Sequence, residues 1–295
     1  MIIGRQEDVT PAVLEAMSNK NARLREVMAG LVTHLHAFAR EVRLTEEEWE
    51  YGVEFLNCIG KATHDAHNEG VLFSDAIGFS TLVCLLNNGN NGAPETASAL
   101  LGPFWRMNSP HTENGGSIVR SPTPGPELFA RCRIVDPDGA PLAGVEIDVW
   151  QSSPVGLYEN QDETQAEMNL RGKFTTDAEG RFSFRSVKPG PYPVPTDGPV
   201  GELLRAQERH PYRPAHLHFL GFKRGFKTLI TQVFVDDDCH LDSDVVFGVT
   251  RALIGDYRPG SGAPPVPDVK GPWFTFAYTF VMEPGDAVLP HPPIT

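Results

Sequence analysis

Tyrosine and cysteine are scarce in this chain: six tyrosines and four cysteines are spread over 295 residues. Cys58, Cys84, Cys132 and Cys239 form no C-x-x-C pair, which excludes the paired-thiolate zinc and redox motifs. Scattered thiols, behind a start (MIIGRQEDVT) that has no apolar signal core, read as reduced cysteines of a cytoplasmic protein. No apolar run approaches the length of a membrane span. Basic residues are in deficit too, with 25 Lys and Arg against 38 Asp and Glu and a net charge of −13. That balance argues against nucleic acid or an anionic membrane as the main partner. A small anionic ligand would need a local cation to hold it.

What is present divides the chain in two. Thr10-Pro11 reads as a cap with proline at the first helical position, opening a helical segment that runs to about Arg40. Thr45-Glu46-Glu47-Glu48 is a capping box, and behind it Trp49, Val53, Leu56 and Ile59 recur at helical spacing. Ser74-Asp75 reads as the start of a third helix through Ile77, Leu82 and Leu86, ended by the NNGNNG breaker at 87–92. From about Glu127 the period falls to two. Val145, Ile147 and Val149 alternate with Glu146 and Asp148. Phe182 and Phe184 alternate with charged and polar neighbours, and strands are predicted at 229–235 and 273–282. Prolines and glycines, 26 and 28 in all, crowd into this half. The expected class is α+β: a helical N-terminal domain over 1–108, followed by an antiparallel β-sandwich over 109–295.

The stretch HPYRPAHLHF (210–219) holds three histidines and an arginine within ten residues. On a strand, His216 and His218 point to one face and present two imidazoles side by side. The same tripeptide recurs at His34 and His36, in helical sequence. Two residues there turn by roughly 200°, so that pair points apart and reads as structural. His64 and His67, at helical i, i+3 spacing around Asp65, form a weaker rival pair.

Two histidines alone do not make a centre. The usual third ligand of small-molecule oxygenases is a carboxylate. A cupin-like site wants a glutamate four or five residues after the second histidine, where Phe222 and Lys223 stand. Upstream, Glu202 and Glu208 lie in loop or helix. Tyrosine is the remaining donor type. Tyr51 is helical, Tyr257 and Tyr278 lie at the far end, and Tyr212 adjoins Arg213. Tyr158 follows a strand, and Tyr192 sits in KPGPYPVP, where prolines should keep it outside any sheet ladder. Taken singly, each of these two is explained as readily by packing.

Taken together, LFSDAIGFSTLV (72–83), LLGPFWRMNSP (100–110), DVWQSSPVGLYEN (148–160), GKFTTDAEGRFSFRSVKPGPYPVP (172–195), HPYRPAHLHF, TQVFVDDD (231–238) and LDSDVVFGV (241–249) resemble the intradiol ring-cleavage dioxygenases of the catechol/hydroxyquinol type. The segments occur in the expected order over most of residues 50–250. The resemblance implies a mononuclear non-haem Fe(III) held by Tyr158, Tyr192, His216 and His218. Tyr192 would be the ligand displaced when a catechol chelates. Phenolate is a hard anionic donor that suits the ferric state. Arg213 is implied to stabilise negative charge on the substrate, and Gln232 to support the histidines.

The pocket walls implied are Leu72, Asp75, Leu100, Leu101, Gly102, Pro103, Phe104 and Val246. One departure is the bulky Phe104-Trp105-Arg106-Met107, where the family has smaller residues after GPF. Asp75 is a second distinguishing residue, because catechol-specific members tend to carry a proline near it. The expected reaction is cleavage of hydroxyquinol (benzene-1,2,4-triol) by O₂ to 3-hydroxy-cis,cis-muconate/maleylacetate, with catechol 1,2-dioxygenase as the neighbouring alternative. A homodimer through the N-terminal helices is implied, with room for a phospholipid between them. From another class, a non-catalytic sandwich binding a ligand or lipid is the distant alternative.

Overall fold

The computed structural model describes residues 2–18, 20–64, 67–88 and 96–293. Two compact units emerge, Met1–Cys58 and Ile59–Thr295. In the smaller, α1 (Val9–Ala16) and α2 (Ala22–Glu41) are tied by Thr10 Oγ1 with His36 Nδ1 at 3.0 Å and by Arg40 Nη2 donating to Thr10 Oγ1 at 2.7 Å. Thr10 thus works from inside the first turn, and it is Asp8, not Thr10, that precedes the helix. In place of the single helix expected to Arg40 there are two, α1 ending at Ala16 and α2 beginning at Ala22, where Asn21 caps α2 through Leu24 N. The capping box at Thr45 forms as read: Thr45 Oγ1 accepts from Glu48 N, and Thr45 N donates to Glu48 Oε2. It opens α3 (Glu46–Ala62), of whose apolar positions Ile59 is buried while Trp49, Val53 and Leu56 are exposed in the single chain.

The expected third helix is two helices. α4 (Glu69–Ala76) is capped by Asn68, and α5 (Phe79–Asn88) follows after a bend of 80°. Gly78, at φ +72, makes that bend. Ser74 and Asp75 therefore lie at the end of a helix, not at its start. Most of the 87–92 breaker, like Asp65, lies outside the described residues. His64 and His67 are not helical either: they face each other across an isolated bridge between α3 and α4.

The remaining chain forms β1 (Glu127–Val135), β2 (Glu146–Trp150), β3 (Arg171–Thr175), β4 (Arg181–Val187), β5 (Tyr192–Pro193), α6 (Pro199–Ala206), β6 (Tyr212–Arg213), β7 (His216–Phe222), β8 (Leu229–Val235), β9 (Ile254–Pro259) and β10 (Trp273–Val281). Eight of these strands make one sheet in the order β3-β2-β7-β8-β9-β10-β1-β4. The sheet is mixed, not antiparallel as expected: β1 runs parallel to β10, and β8 parallel to β9. Within the sheet order its two halves meet at β8 and β9 through the pairs Phe234–Ile254 and Val235–Gly255. That narrow joint lets the sheet curl over a shared core, in which Phe219 of β7 meets Phe280 of β10 at 4.7 Å between ring centroids. Ile147, Val149, Phe182 and Phe184 point into this core, as the period of two predicts. The other face of β2 and β7 is also covered. It carries His216, His218 and Trp150, all buried.

Candidate metal centre

Four segments converge on that covered face. β7 supplies His216 and His218 at i and i+2, with their Nε2 atoms 3.0 Å apart. The loop after β2 supplies Tyr158, whose hydroxyl lies 3.1 Å from His218 Nε2. β5 supplies Tyr192, whose ring lies 5.5 Å from that of Tyr158 and 5.6 Å from that of His216. The prolines around Tyr192 do not keep it out of a ladder. Tyr192 and Pro193 form a two-residue strand, preceded by Pro191, that pairs Tyr192 with Arg213 of β6. Arg213 thereby reaches the Tyr192 hydroxyl, with Nη1 at 3.5 Å.

The donor chemistry fits a cation. His216 Nδ1 donates to Pro214 O at 2.7 Å, which leaves the lone pair on Nε2 facing inward. Burial, then the charge of Arg213, lowers the His216 pKa to about 3; burial, His216 and Arg213 hold His218 well below its usual range. Both imidazoles are therefore neutral. Burial, then the neighbouring Tyr192, pushes the Tyr158 phenol well up, so a phenolate there requires a cation at its oxygen. His216 Nε2, His218 Nε2 and the Tyr158 hydroxyl, with neighbouring atoms 3.0 and 3.1 Å apart, are the atoms that would hold a cation here. Among the described residues no group of three or more His, Cys, Asp and Glu converges. Two tyrosines, Tyr158 and Tyr192, lie beside the histidine pair instead. His34 and His36 lie within α2, as read, and His36 bonds Thr10.

A polar frame surrounds the donors. Arg213 is buried against Asp244, with Nε to Oδ1 at 3.1 Å and Nη2 to Oδ2 at 3.2 Å. Its Nη2 also donates to Gln232 Oε1 at 2.8 Å, and Gln232 Nε2 donates to Leu100 O at 2.7 Å. Gln232 faces His218 across the β7–β8 ladder, so it links the arginine to the wall at Leu100. Burial alone would lower the Arg213 pKa, but Asp244 and Tyr192 raise it, and the guanidinium stays charged. Burial likewise works against Asp244, yet Arg213 holds its carboxyl below the usual range.

The residues implied as walls pack largely in two apolar clusters. Leu72, Leu100 and Val246 share one apolar cluster; Leu101 and Phe104 pack with Trp150, Tyr158 and Tyr192 in another. Gly102, at φ +74, lies where a Cβ would come within 3.3 Å of His218 Cε1, and Pro103 continues into the turn that places Phe104. Asp75 is buried. Burial raises its pKa, while Ser80 and Arg213 act to lower it. A hollow of about 460 Å³ is lined by Ser74, Ser80, Leu100 and Leu101 but by none of the four donors. The bulk of the 104–107 departure is distributed. Phe104 stacks on Tyr158 at 4.2 Å, Trp105 is buried with its Nε1 donating to Asp148, Arg106 pairs with Glu159 and Glu167, and Met107 is half exposed.

Comparison with known proteins agrees with this geometry. The model of a family described as "Dioxygenase" matches residues 100–284, and one described as "Catechol dioxygenase N terminus" matches residues 21–94. The chain belongs to the intradiol ring-cleavage dioxygenases. Among relatives, the hydroxyquinol 1,2-dioxygenase of Rhizobium sp. is 44% identical over 238 residues, 80% of each chain. The catechol 1,2-dioxygenase of Candida albicans is 44% identical over 239 residues, 80% of this chain and 78% of that one. The crystal structure of a hydroxyquinol 1,2-dioxygenase from Pseudomonas putida superposes with a TM-score of 0.88 at 36% identity, covering 95% of this chain and 99% of that one.

Sequence reasoning on this dioxygenase missed Asp244, although it lies within the LDSDVVFGV stretch. The available signal was physical: a buried arginine requires a carboxylate. It also missed Trp150, which stacks on His218 at 4.6 Å and 9°. Arg171 and Glu159 escaped notice as well, because a charge in a strand or turn ordinarily reads as a solvated side chain.

Proposed function

We propose that this dioxygenase cleaves hydroxyquinol between its adjacent hydroxyls, using O₂ and one ferric ion held by Tyr158, Tyr192, His216 and His218. The observation that carries the reading is the convergence of two neutral imidazoles and two phenols, from three separate segments, in a buried site beside Arg213. Ferric iron bound there would supply Lewis acidity that turns a chelated catecholate ring into a partner for O₂.

The chain's own residues do the rest. Tyr192, hydrogen-bonded at its hydroxyl by Arg213, stands where it can take a proton from an incoming diol at Oη. Arg213 offers a fixed positive charge to the dianionic ring, and because Asp244 and Gln232 already hold it, no reorganisation is needed on binding. Leu72, Leu100, Leu101, Gly102, Pro103, Phe104 and Val246 shape and dry the pocket. The product is then 3-hydroxy-cis,cis-muconate/maleylacetate.

The Candida catechol relative and the Rhizobium hydroxyquinol relative are equally identical at 44%, so between these two the choice rests on Asp75. A buried carboxylate at this place accepts a hydrogen bond from the third hydroxyl of the triol. With catechol that extra hydrogen bond is lost and Ser80 alone is left to pair the carboxyl, at a cost of about 1–3 kcal/mol, or ten- to a hundredfold in specificity. A catechol 1,2-dioxygenase is the second reading, favoured by the Candida relative.

The exposed Trp49, Val53 and Leu56 support a homodimer through the N-terminal helices, with space for a phospholipid between them. The curled sheet is read as the two layers of a sandwich, and four cysteines scattered along the chain support a reducing, cytoplasmic setting. The test is a substrate panel on the iron-loaded enzyme. kcat/KM for hydroxyquinol should exceed that for catechol at least tenfold, and Asp75→Ala should shrink the ratio mainly by slowing hydroxyquinol. Equal values in the parent enzyme would leave the catechol reading in place.

A further inference from the structure

Next to the donor set lies a second buried cation with no part in the scheme above. Arg171 is 1% exposed. Its Nε donates to Glu159 Oε1 at 2.7 Å and its Nη1 to the carbonyl oxygen of Phe104 at 2.5 Å. Nη2 is buried and has no hydrogen-bond partner among the described residues. Both partners touch the donor Tyr158. Glu159 follows it in the chain, and the Phe104 ring lies on its phenol ring, with centroids 4.2 Å apart and planes 24° from parallel. The same Phe104 ring meets Tyr192 edge-on at 6.4 Å. The same Glu159 Oε1 also accepts from Arg106 Nη1 at 3.1 Å, so losing Arg171 does not leave that carboxylate without a counter-charge.

The backbone leading into Arg171 is unusual. Met168 and Leu170 both have φ +59, a left-handed conformation that costs a non-glycine residue of the order of 1 kcal/mol or more. The side chain of Asn169 between them bonds four groups: its Oδ1 accepts from Arg120 N and Ser121 N, and its Nδ2 donates to Thr123 and Gln165. A strained, over-determined turn therefore delivers a fully buried guanidinium to one place. A solvated charge needs no such device. The guanidinium also lies near enough to Tyr158 and His218 to act on both electrostatically.

We propose that Arg171 is a positioning residue for ring cleavage, fixing the Phe104 backbone and thereby pressing the Phe104 ring against the Tyr158 donor. The inference rests on the ferric reading of the site. Through Phe104 it sets the orientation of one phenolate and one wall of the pocket together. A hydrogen bond to a backbone carbonyl is a suitable handle, since Leu101, Gly102 and Pro103 precede that carbonyl directly.

The test compares Arg171→Lys, Phe104→Leu and the double variant, all iron-loaded, by iron content, visible absorption, kcat and KM for hydroxyquinol, and thermal midpoint. Lysine keeps the charge but cannot reach Glu159 and Phe104 in a fork. Iron should stay bound in Arg171→Lys, the phenolate-to-iron band should move, and kcat/KM should fall on the order of ten- to a hundredfold. Phe104→Leu should move the band in the same direction, and the double variant should cost no more than the larger single change. Additive losses, or a band unmoved in Arg171→Lys despite a lower thermal midpoint, would reduce Arg171 to a structural residue. Should Arg171→Lys not fold, Phe104→Leu decides alone, and an unmoved band there overturns the proposal. Parent enzyme with no iron band at all would instead overturn the ferric reading, so the two failures are distinguishable.

Discussion

Arg213 and Asp244 form a two-point ion pair with both side chains almost wholly buried, Nε to Oδ1 at 3.1 Å and Nη2 to Oδ2 at 3.2 Å. Asp244 also accepts from the backbone N–H of Gly248 at 2.9 Å and of Val246 at 3.3 Å, so one carboxylate fixes both the arginine and a pocket wall. Breaking a buried pair from one side typically costs about 3–5 kcal/mol, because the remaining charge is stranded. Asp244→Ala should therefore lower the thermal midpoint sharply and depress turnover, since Val246 and Arg213 move together. Calorimetry beside steady-state kinetics reads both, and a variant as stable and active as the parent would contradict the coupling.

Removing a donor should remove the metal signature. Tyr158→Phe and His216→Ala are expected to lose iron or the visible phenolate band, whereas His34→Ala and His36→Ala keep both. Metal analysis and an absorption spectrum suffice. Stoichiometric iron loss in either helical variant would mean that the wrong HLH had been assigned.

Gln232 bonds Arg213 and Leu100 but none of the donors. In Gln232→Ala iron should stay bound, while the Leu100 carbonyl and one Arg213 N–H each lose a partner at about 1–3 kcal/mol. A fall in kcat/KM of roughly ten- to a hundredfold follows if that cost is felt in the transition state. Loss of iron from this variant would count against its supporting place.

Asp148 predicts a pH effect on stability. Burial raises its pKa from 3.8 to about 6, against the opposing pull of Lys173, and its Oδ1 has no hydrogen-bond partner among the described residues. The folded state thus holds this proton more tightly than the unfolded chain. The contribution to stability is greatest below about pH 4 and is lost as pH rises through about 6, by roughly 3 kcal/mol in all. Asp148→Asn should remove that slope. Denaturant unfolding of parent and variant across pH 4 to 7 should show the difference shifting in favour of asparagine as pH rises. A difference constant over that range would show that the carboxyl does not titrate there.

Much of this protein was legible in the sequence because the signals were local. The period of two placed β8 at Leu229–Val235 and turned His216 and His218 to one face. The Thr45–Glu48 box started α3, and the ordered motifs pointed to the donor set. The misreadings were local signals overruled by distant contacts. Ser74-Asp75 has the composition of a helix start, yet Asn68 caps that helix and Gly78 ends it, which leaves Asp75 buried at the close of α4. Tyr192 stands between prolines, yet one residue between them is enough to pair with Arg213. Burial itself was invisible: Asp148, Glu159, Arg171 and Asp244 are charged residues that only a folded chain can enclose. Alternation and capping depend on neighbours a few residues apart, so the sequence determined the strands, the faces and the donor types. Which charge meets which, across 12 residues for Arg171 with Glu159 and 31 for Arg213 with Asp244, was decided by how the sheet curls and where its loops return.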